Sequence, residues 1–139
     1  MAKTSSAVAQ QIARAASAFE QKMTGHAPES VTVVLNDDTL VVTLRGALSP
    51  AEKALAESPA GAAQVQEFHQ QLFLHSSDSL RQEIERILGA EVREAVAEAE
   101  PAAGTVVKVF TTGTVVQVFL LDRNVSADTW SGDGQTSKP

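Results

Sequence analysis

The stretch from Ser30 to Glu52 (SVTVVLNDDTLVVTLRGALSPAE) constrains the fold more than any other part of the chain. Residues alternate between two faces before and after Asn36-Asp37-Asp38, whose side chains bond their own main chain and tolerate left-handed backbone. Two alternating runs around a short polar break are typical of a β-hairpin. Ser49-Pro50-Ala51-Glu52 then supplies the N-cap, the first-turn proline and the reciprocal glutamate of a helix start. The sequence therefore predicts a hairpin followed directly by a helix.

Apolar residues spaced by three or four predict two longer helices. The first runs from Ser5 to Met23 and ends at Gly25. The second runs from about Ala62 to Leu88, after a short helix over 50–57, and stops at Gly89. We expect a single helix here, although two helices that meet near Ser77 are the alternative. The expected inward-facing residues are Val8, Ile12, Phe19 and Met23 on the first helix, and Val65, Phe68, Leu72, Leu80 and Ile84 on the second.

The last third of the sequence predicts strands. Alternation over 91–100 (EVREAVAEAE), between Gly89 and Pro101, indicates a strand near a sheet edge. A repeat then follows, in which GTVVKVF at 104–110 recurs nine residues later as GTVVQVF at 113–119. Its valine and threonine content favours strands, and the segment 105–121 is either a hairpin or one long bulged strand.

These elements predict an α+β fold, with a mostly antiparallel four- or five-stranded sheet and helices packed on one face. Residues 1–121 form the single domain of this prediction. The polar composition of residues 122–139 indicates a disordered tail, in which Trp130 either docks on the domain or binds a partner. Open sheet edges further suggest a homodimer.

Composition excludes several classes of function. The formal net charge of −6 and the absence of a basic run argue against nucleic-acid binding. The chain has no cysteine, which removes disulfides and thiolate chemistry. No stretch resembles a secretory signal or a membrane-spanning segment, so we expect a soluble, cytoplasmic protein with no direct membrane insertion.

The three histidines are the first candidates for chemistry or ligand binding. His69 and His75 are six residues apart on the second long helix, whereas metal ligands on a helix are usually three or four apart. His26 lies in the connector after the first helix. Because no catalytic motif is present either, we predict no enzyme activity, no metal site and no cofactor.

The order of motifs resembles that of the MpsC-like family over roughly Ala7 to Phe110. The matching motifs, in chain order, are Gly25-His26-Ala27-Pro28, Leu48-Ser49-Pro50-Ala51-Glu52, Ile84-Glu85-Arg86-Ile87-Leu88-Gly89, Glu98-Ala99-Glu100-Pro101 and Val107-Lys108-Val109-Phe110. The chain departs from the family pattern at His26 and His69, where arginine is usual, and in its second copy of the valine-rich strand.

The resemblance implies a small accessory or regulatory protein linked to membrane ion or bicarbonate transport, with no catalytic residues to carry over. A membrane transport subunit is then the expected partner. The alternative hypothesis is a small-molecule or anion sensor, in which His26 and His69 line one pocket between helices and sheet.

Overall fold

The computed structural model describes residues 5–93, 105–109 and 113–133, except for the side chains of residues 5–7, 76–77, 105–109 and 133. Helices and strands are mixed along the chain, as an α+β fold requires. The elements are α1 (Ser5–Thr24), β1 (Ser30–Arg45), α2 (Pro50–Leu55), α3 (Pro59–Leu88), β2 (Thr105–Val109) and β3 (Val115–Asp133).

The sheet is antiparallel and has the order β1-β3-β2. β1 pairs with β3 from Ser30 opposite Asp133 to Leu44 opposite Val115. β2 pairs with the first part of β3, with Thr105 opposite Phe119 and Val109 opposite Val115. The two copies of the sequence repeat therefore form a hairpin, and not one bulged strand.

β1 doubles back on itself at its centre. The backbone N–H of Glu29 donates to the carbonyl oxygen of Arg45 at 2.7 Å, so the two ends of β1 lie side by side. Arg45 Nη1 also donates to Thr32 Oγ1 at 2.7 Å. Asp37, midway along the strand, has a φ of 56°, which aspartate accepts more readily than most residues. The predicted chain reversal at 36–38 is confirmed.

The predicted number of strands is wrong: the described residues form three strands, and not four or five. The reason is that the β1–β3 pairing continues through the bend, with shifts of register on either side of Asp37. β1 therefore includes two segments that the alternation pattern predicts as separate strands, and β3 includes one predicted strand and part of the predicted tail.

The expectation of a disordered tail after residue 121 is also wrong, because β3 continues to Asp133. The segment from Asp128 to Asp133 pairs with the segment from Ser30 to Leu35, which supplies backbone partners that composition does not reveal. The folded domain therefore extends beyond 121, while residues 134–139 lie outside the described part of the chain.

The helices follow the prediction closely. α3 is one continuous helix, and it begins at Pro59 because Ser58 caps it by accepting from the Gly61 N–H. Gly89 ends α3 in the left-handed conformation, with a φ of 68°. Ser49 and Glu52 form the predicted capping box of α2.

One hydrophobic core lies between the helices and one face of the sheet. Alternate residues of β1 and β3 face α1 and α3. The most buried large side chains of this core include Ile12 of α1, Ile84 of α3, and, on the two strands, Leu35, Leu40, Leu44, Val115, Phe119 and Leu121. Beyond α3, Val92 forms a single bridge to Leu121. Residues 94–100 of the strand predicted over 91–100 lie outside the described residues.

Candidate functional site

A buried polar cluster interrupts the apolar interface between the helices and the sheet. On α3, Val65, Leu80 and Ile84 face inward as predicted. In the middle of the helix the inward-facing residues are His69 and Phe73, each one position after the predicted Phe68 and Leu72. His69 is 4% exposed, whereas Phe68 is 50% exposed. A histidine therefore occupies a core position, where its ring nitrogens require partners.

His69 lies between two carboxylates from two other helices. Its Nε2 is 2.8 Å from Oε2 of Glu52, which is a good hydrogen-bond distance. Its Nδ1 is 3.6 Å from Oε2 of Glu20, which is too long for a hydrogen bond but close enough for a strong electrostatic interaction. α1, α2 and α3 thus each contribute one ionisable side chain.

Glu52 takes part in both the capping box of α2 and the contact with His69. Its Oε1 accepts from the backbone N–H of Ser49 at 2.9 Å and closes the capping box of α2, while its Oε2 contacts His69. Partial burial alone would raise the pKa of Glu52, but the hydrogen bonds from Ser49 and His69 lower it below its ordinary value of 4.5. The position of α2 is therefore tied to the imidazole ring of His69.

The pKa of Glu20 is shifted in the opposite direction from that of Glu52. It is 4% exposed, and its burial together with the negative charge of Glu52 raises its pKa from 4.5 to about 7. At neutral pH, Glu20 therefore alternates between a carboxylic acid and a carboxylate.

A small cavity separates Glu20 from the sheet. It is lined by Phe19, Glu20, Met23, Thr24, His69, Leu72, Phe73, Val115 and Gln117, and its volume is about 10 Å³. That volume suits one water molecule and no larger ligand. Gln117 of β3 is 1% exposed, and its Oε1, like Oε2 of Glu20, has no hydrogen-bond partner within the described part of the chain. Two buried acceptors thus border one cavity.

The other candidate residues lie elsewhere. His26 Nε2 is 3.0 Å from the carbonyl oxygen of Gly46, and His26 does not line the cavity at His69. His75 is exposed on α3. Trp130 is half-buried and packs against the core. Within residues 5–93, 105–109 and 113–133, no group of histidine and acidic side chains is arranged to hold a metal ion.

The sequence contained signals for this cluster that the prediction missed. Glu20 follows Ala9, Ala13 and Ala16 at helical spacing, which places it on the buried stripe of α1. Gln117 occupies a core-facing position in the alternating run Val115 to Phe119. Polar residues at apolar positions of a periodic pattern were the available indication.

The cluster is suited to binding and sharing a proton. Glu20 can donate or accept one, His69 can carry one on either nitrogen, and Glu52 stays ionised.

Comparison with known families gives a match over most of the chain. A family model described as "Na+-translocating membrane potential-generating system (MpsC)" matches residues 4–123. No curated protein and no solved structure matches the chain. Among the helices of the described residues, none is long and apolar enough to cross a membrane.

Proposed function

The chain belongs to the MpsC family, and from this premise we propose that it is a non-enzymatic accessory or regulatory protein of a membrane ion or bicarbonate transport system. The observation that carries the proposal is the extent of the family match, which covers residues 4–123 and therefore most of the fold. Such a protein acts by binding a membrane transport subunit.

The face of the sheet opposite the helices supports this role. Alternation along β1 and β3 places Val41, Val116, Val118 and Leu120 on that face, and each is partly exposed. Val41 lies directly opposite Val118, so the side chains form a continuous apolar surface across the two strands. An antiparallel sheet with one solvated face usually carries polar residues there, and an apolar face is suited to a protein partner.

Co-purification tests the proposal. The affinity-tagged chain is recovered from native membranes in mild detergent, and the bound proteins are identified by mass spectrometry. We expect an ion-transport or bicarbonate-transport subunit to be recovered. Val118→Lys places a charge on the open face and should abolish recovery, whereas Gln82→Lys on the exposed side of α3 should retain it. Failure to recover any transport subunit with the unchanged chain would refute the proposal.

Two further features belong to the same proposal. We propose that the protein is cytoplasmic, and subcellular fractionation tests this location. We also propose a homodimer formed through open strand edges, which a concentration series in sedimentation velocity tests. A single species at the monomer mass across the series would exclude the dimer.

The alternative, a sensor that binds a small molecule or anion through His26 and His69, is less well supported. The cavity at His69 accommodates about one water, and two carboxylates flank the ring and disfavour an anion. His26 has a backbone partner of its own at Gly46. A thermal-shift screen with inorganic anions and small carboxylates tests the sensor, and stabilisation that disappears in both His26→Ala and His69→Ala would favour it.

A further inference from the structure

We propose that Glu20, His69, Glu52 and Gln117 form a buried binding site for a single proton, and that occupancy of this site controls how firmly α2 is held against α3. The inference concerns the internal chemistry of the domain and does not depend on the identity of a transport partner.

Hydrogen-bond acceptors from α1, α3 and β3 surround the cavity. In the tautomer in which Nε2 of His69 donates to Glu52, Nδ1 carries a lone pair that lies 3.6 Å from Oε2 of Glu20. Among the described residues, neither Gln117 Oε1 nor Glu20 Oε2 has a hydrogen-bond partner, and both atoms are buried. An added proton turns Oε2 of Glu20 into a donor, and its O–H can then be accepted by Gln117, either directly or through one water in the cavity.

Among the described residues, no permanent positive charge lies beside Glu20 at the cavity. The ionisable groups that face Glu20 from the neighbouring elements are His69 of α3 and Glu52 of α2, and β3 contributes the neutral Gln117. No lysine or arginine lines the cavity, among the residues whose side chains the structure describes. A second ionised carboxylate close to Glu52 therefore destabilises the folded protein, and uptake of a proton by Glu20 removes that destabilisation.

The contact of Glu52 with His69 connects the site to α2. This helix has six residues and none of them is buried, so it contributes little to the core. Its flanking contacts are a small cluster of Leu48, Ala56 and Val65, and its polar attachment is the contact of Glu52 with His69. Because Glu20 and Glu52 repel each other, protonation of Glu20 favours the docked position of Glu52, and the coupling is reciprocal.

The expected behaviour has a definite sign. Below the pH at which Glu20 ionises, α2 is held firmly through Glu52 and His69. Above it, the charge on Glu20 competes for His69 and repels Glu52, so α2 opens more often.

The first experiment detects the proton in the unchanged protein. The side-chain carboxyl resonances of ¹³C-labelled glutamate are followed by NMR between pH 4 and pH 9. We expect one carboxyl to titrate between pH 6 and pH 8, and its resonance to be missing in Glu20→Gln. If no glutamate titrates in that range in the unchanged protein, or if the transition persists in Glu20→Gln, the proposal is overturned.

The second experiment measures the coupling to α2. Amide hydrogen exchange of residues 51–55, corrected for the intrinsic pH dependence, should show at least a three-fold loss of protection between pH 6 and pH 8. Glu20→Gln should retain the protection throughout, and Glu57→Gln, which removes an exposed carboxylate, should behave like the unchanged chain. Equal protection at both pH values, or the same loss in Glu20→Gln, would show that the site does not control α2.

Discussion

Replacing Glu20 by glutamine should change the pH dependence of stability, and the structure fixes both sign and size. The pKa of Glu20 is about 7 in the folded protein, against 4.5 for the ordinary group. The folded state therefore binds the proton more tightly than the unfolded state. The resulting stability is fully present below about pH 4.5, and it is lost as the pH rises towards 7.

At about 1.4 kcal/mol for each pH unit, a rise in pKa from 4.5 to about 7 corresponds to a loss of about 3 kcal/mol of unfolding free energy. Glutamine keeps the shape and remains neutral, and its amide can donate to Gln117 in place of the carboxylic acid. Glu20→Gln should therefore lack this loss and be more stable than the unchanged chain at pH 8, by up to about 3 kcal/mol.

Urea denaturation at intervals from pH 4.5 to pH 8, followed by circular dichroism and by the fluorescence of Trp130, measures the effect. Other titrating groups affect both proteins, so the quantity of interest is the difference between the two curves. Glu57→Gln is the matched control, because it removes one negative charge from an exposed position. Parallel curves for Glu20→Gln and the unchanged chain would refute the assignment of a buried, titrating carboxyl.

Three further substitutions test the local structure. Ser49→Ala removes the capping box of α2 and should cost about 1 kcal/mol, seen in urea denaturation and as faster amide exchange within α2. Gly61→Ala should destabilise more strongly, because the added Cβ would lie 1.8 Å from the carbonyl oxygen of Leu55, and a thermal melt measures it. Ile84→Ala, at a fully buried position, should lower the unfolding free energy measured by urea denaturation by about 2–5 kcal/mol. Leu74→Ala, at an exposed position, should lower it by about 0.5 kcal/mol or less.

The features that the sequence predicted correctly have local causes. The capping box at Ser49, the left-handed residue at Asp37 and the stop at Gly89 each depend on a few neighbouring residues. α3 was predicted as one helix because its apolar spacing persists on both sides of Ser77. Patterns of this kind are independent of the rest of the fold.

The features that were missed depend on distant parts of the chain. The segment from Asp122 to Asp133 is polar, and only its pairing with β1 makes it a strand. The middle of the α3 stripe was predicted at Phe68 and Leu72, one residue before the buried His69 and Phe73, while Val65, Leu80 and Ile84 were predicted correctly. His69 is buried because Glu20 and Glu52 reach it from two other helices, and no local pattern contains that information.

The pairing of β1 with β3 also has a consequence for how the protein folds. Ser30 finds its partner at Asp133, about a hundred residues along the chain, and Leu44 finds its partner at Val115. Proteins dominated by such distant contacts fold slowly, because the chain loses the entropy of a long loop before the contacts between its ends stabilise the fold. During synthesis, β1 lacks its partner strand until β3 has left the ribosome. The apolar side chains of β1 are unprotected in that interval, and the risk of aggregation is then greatest.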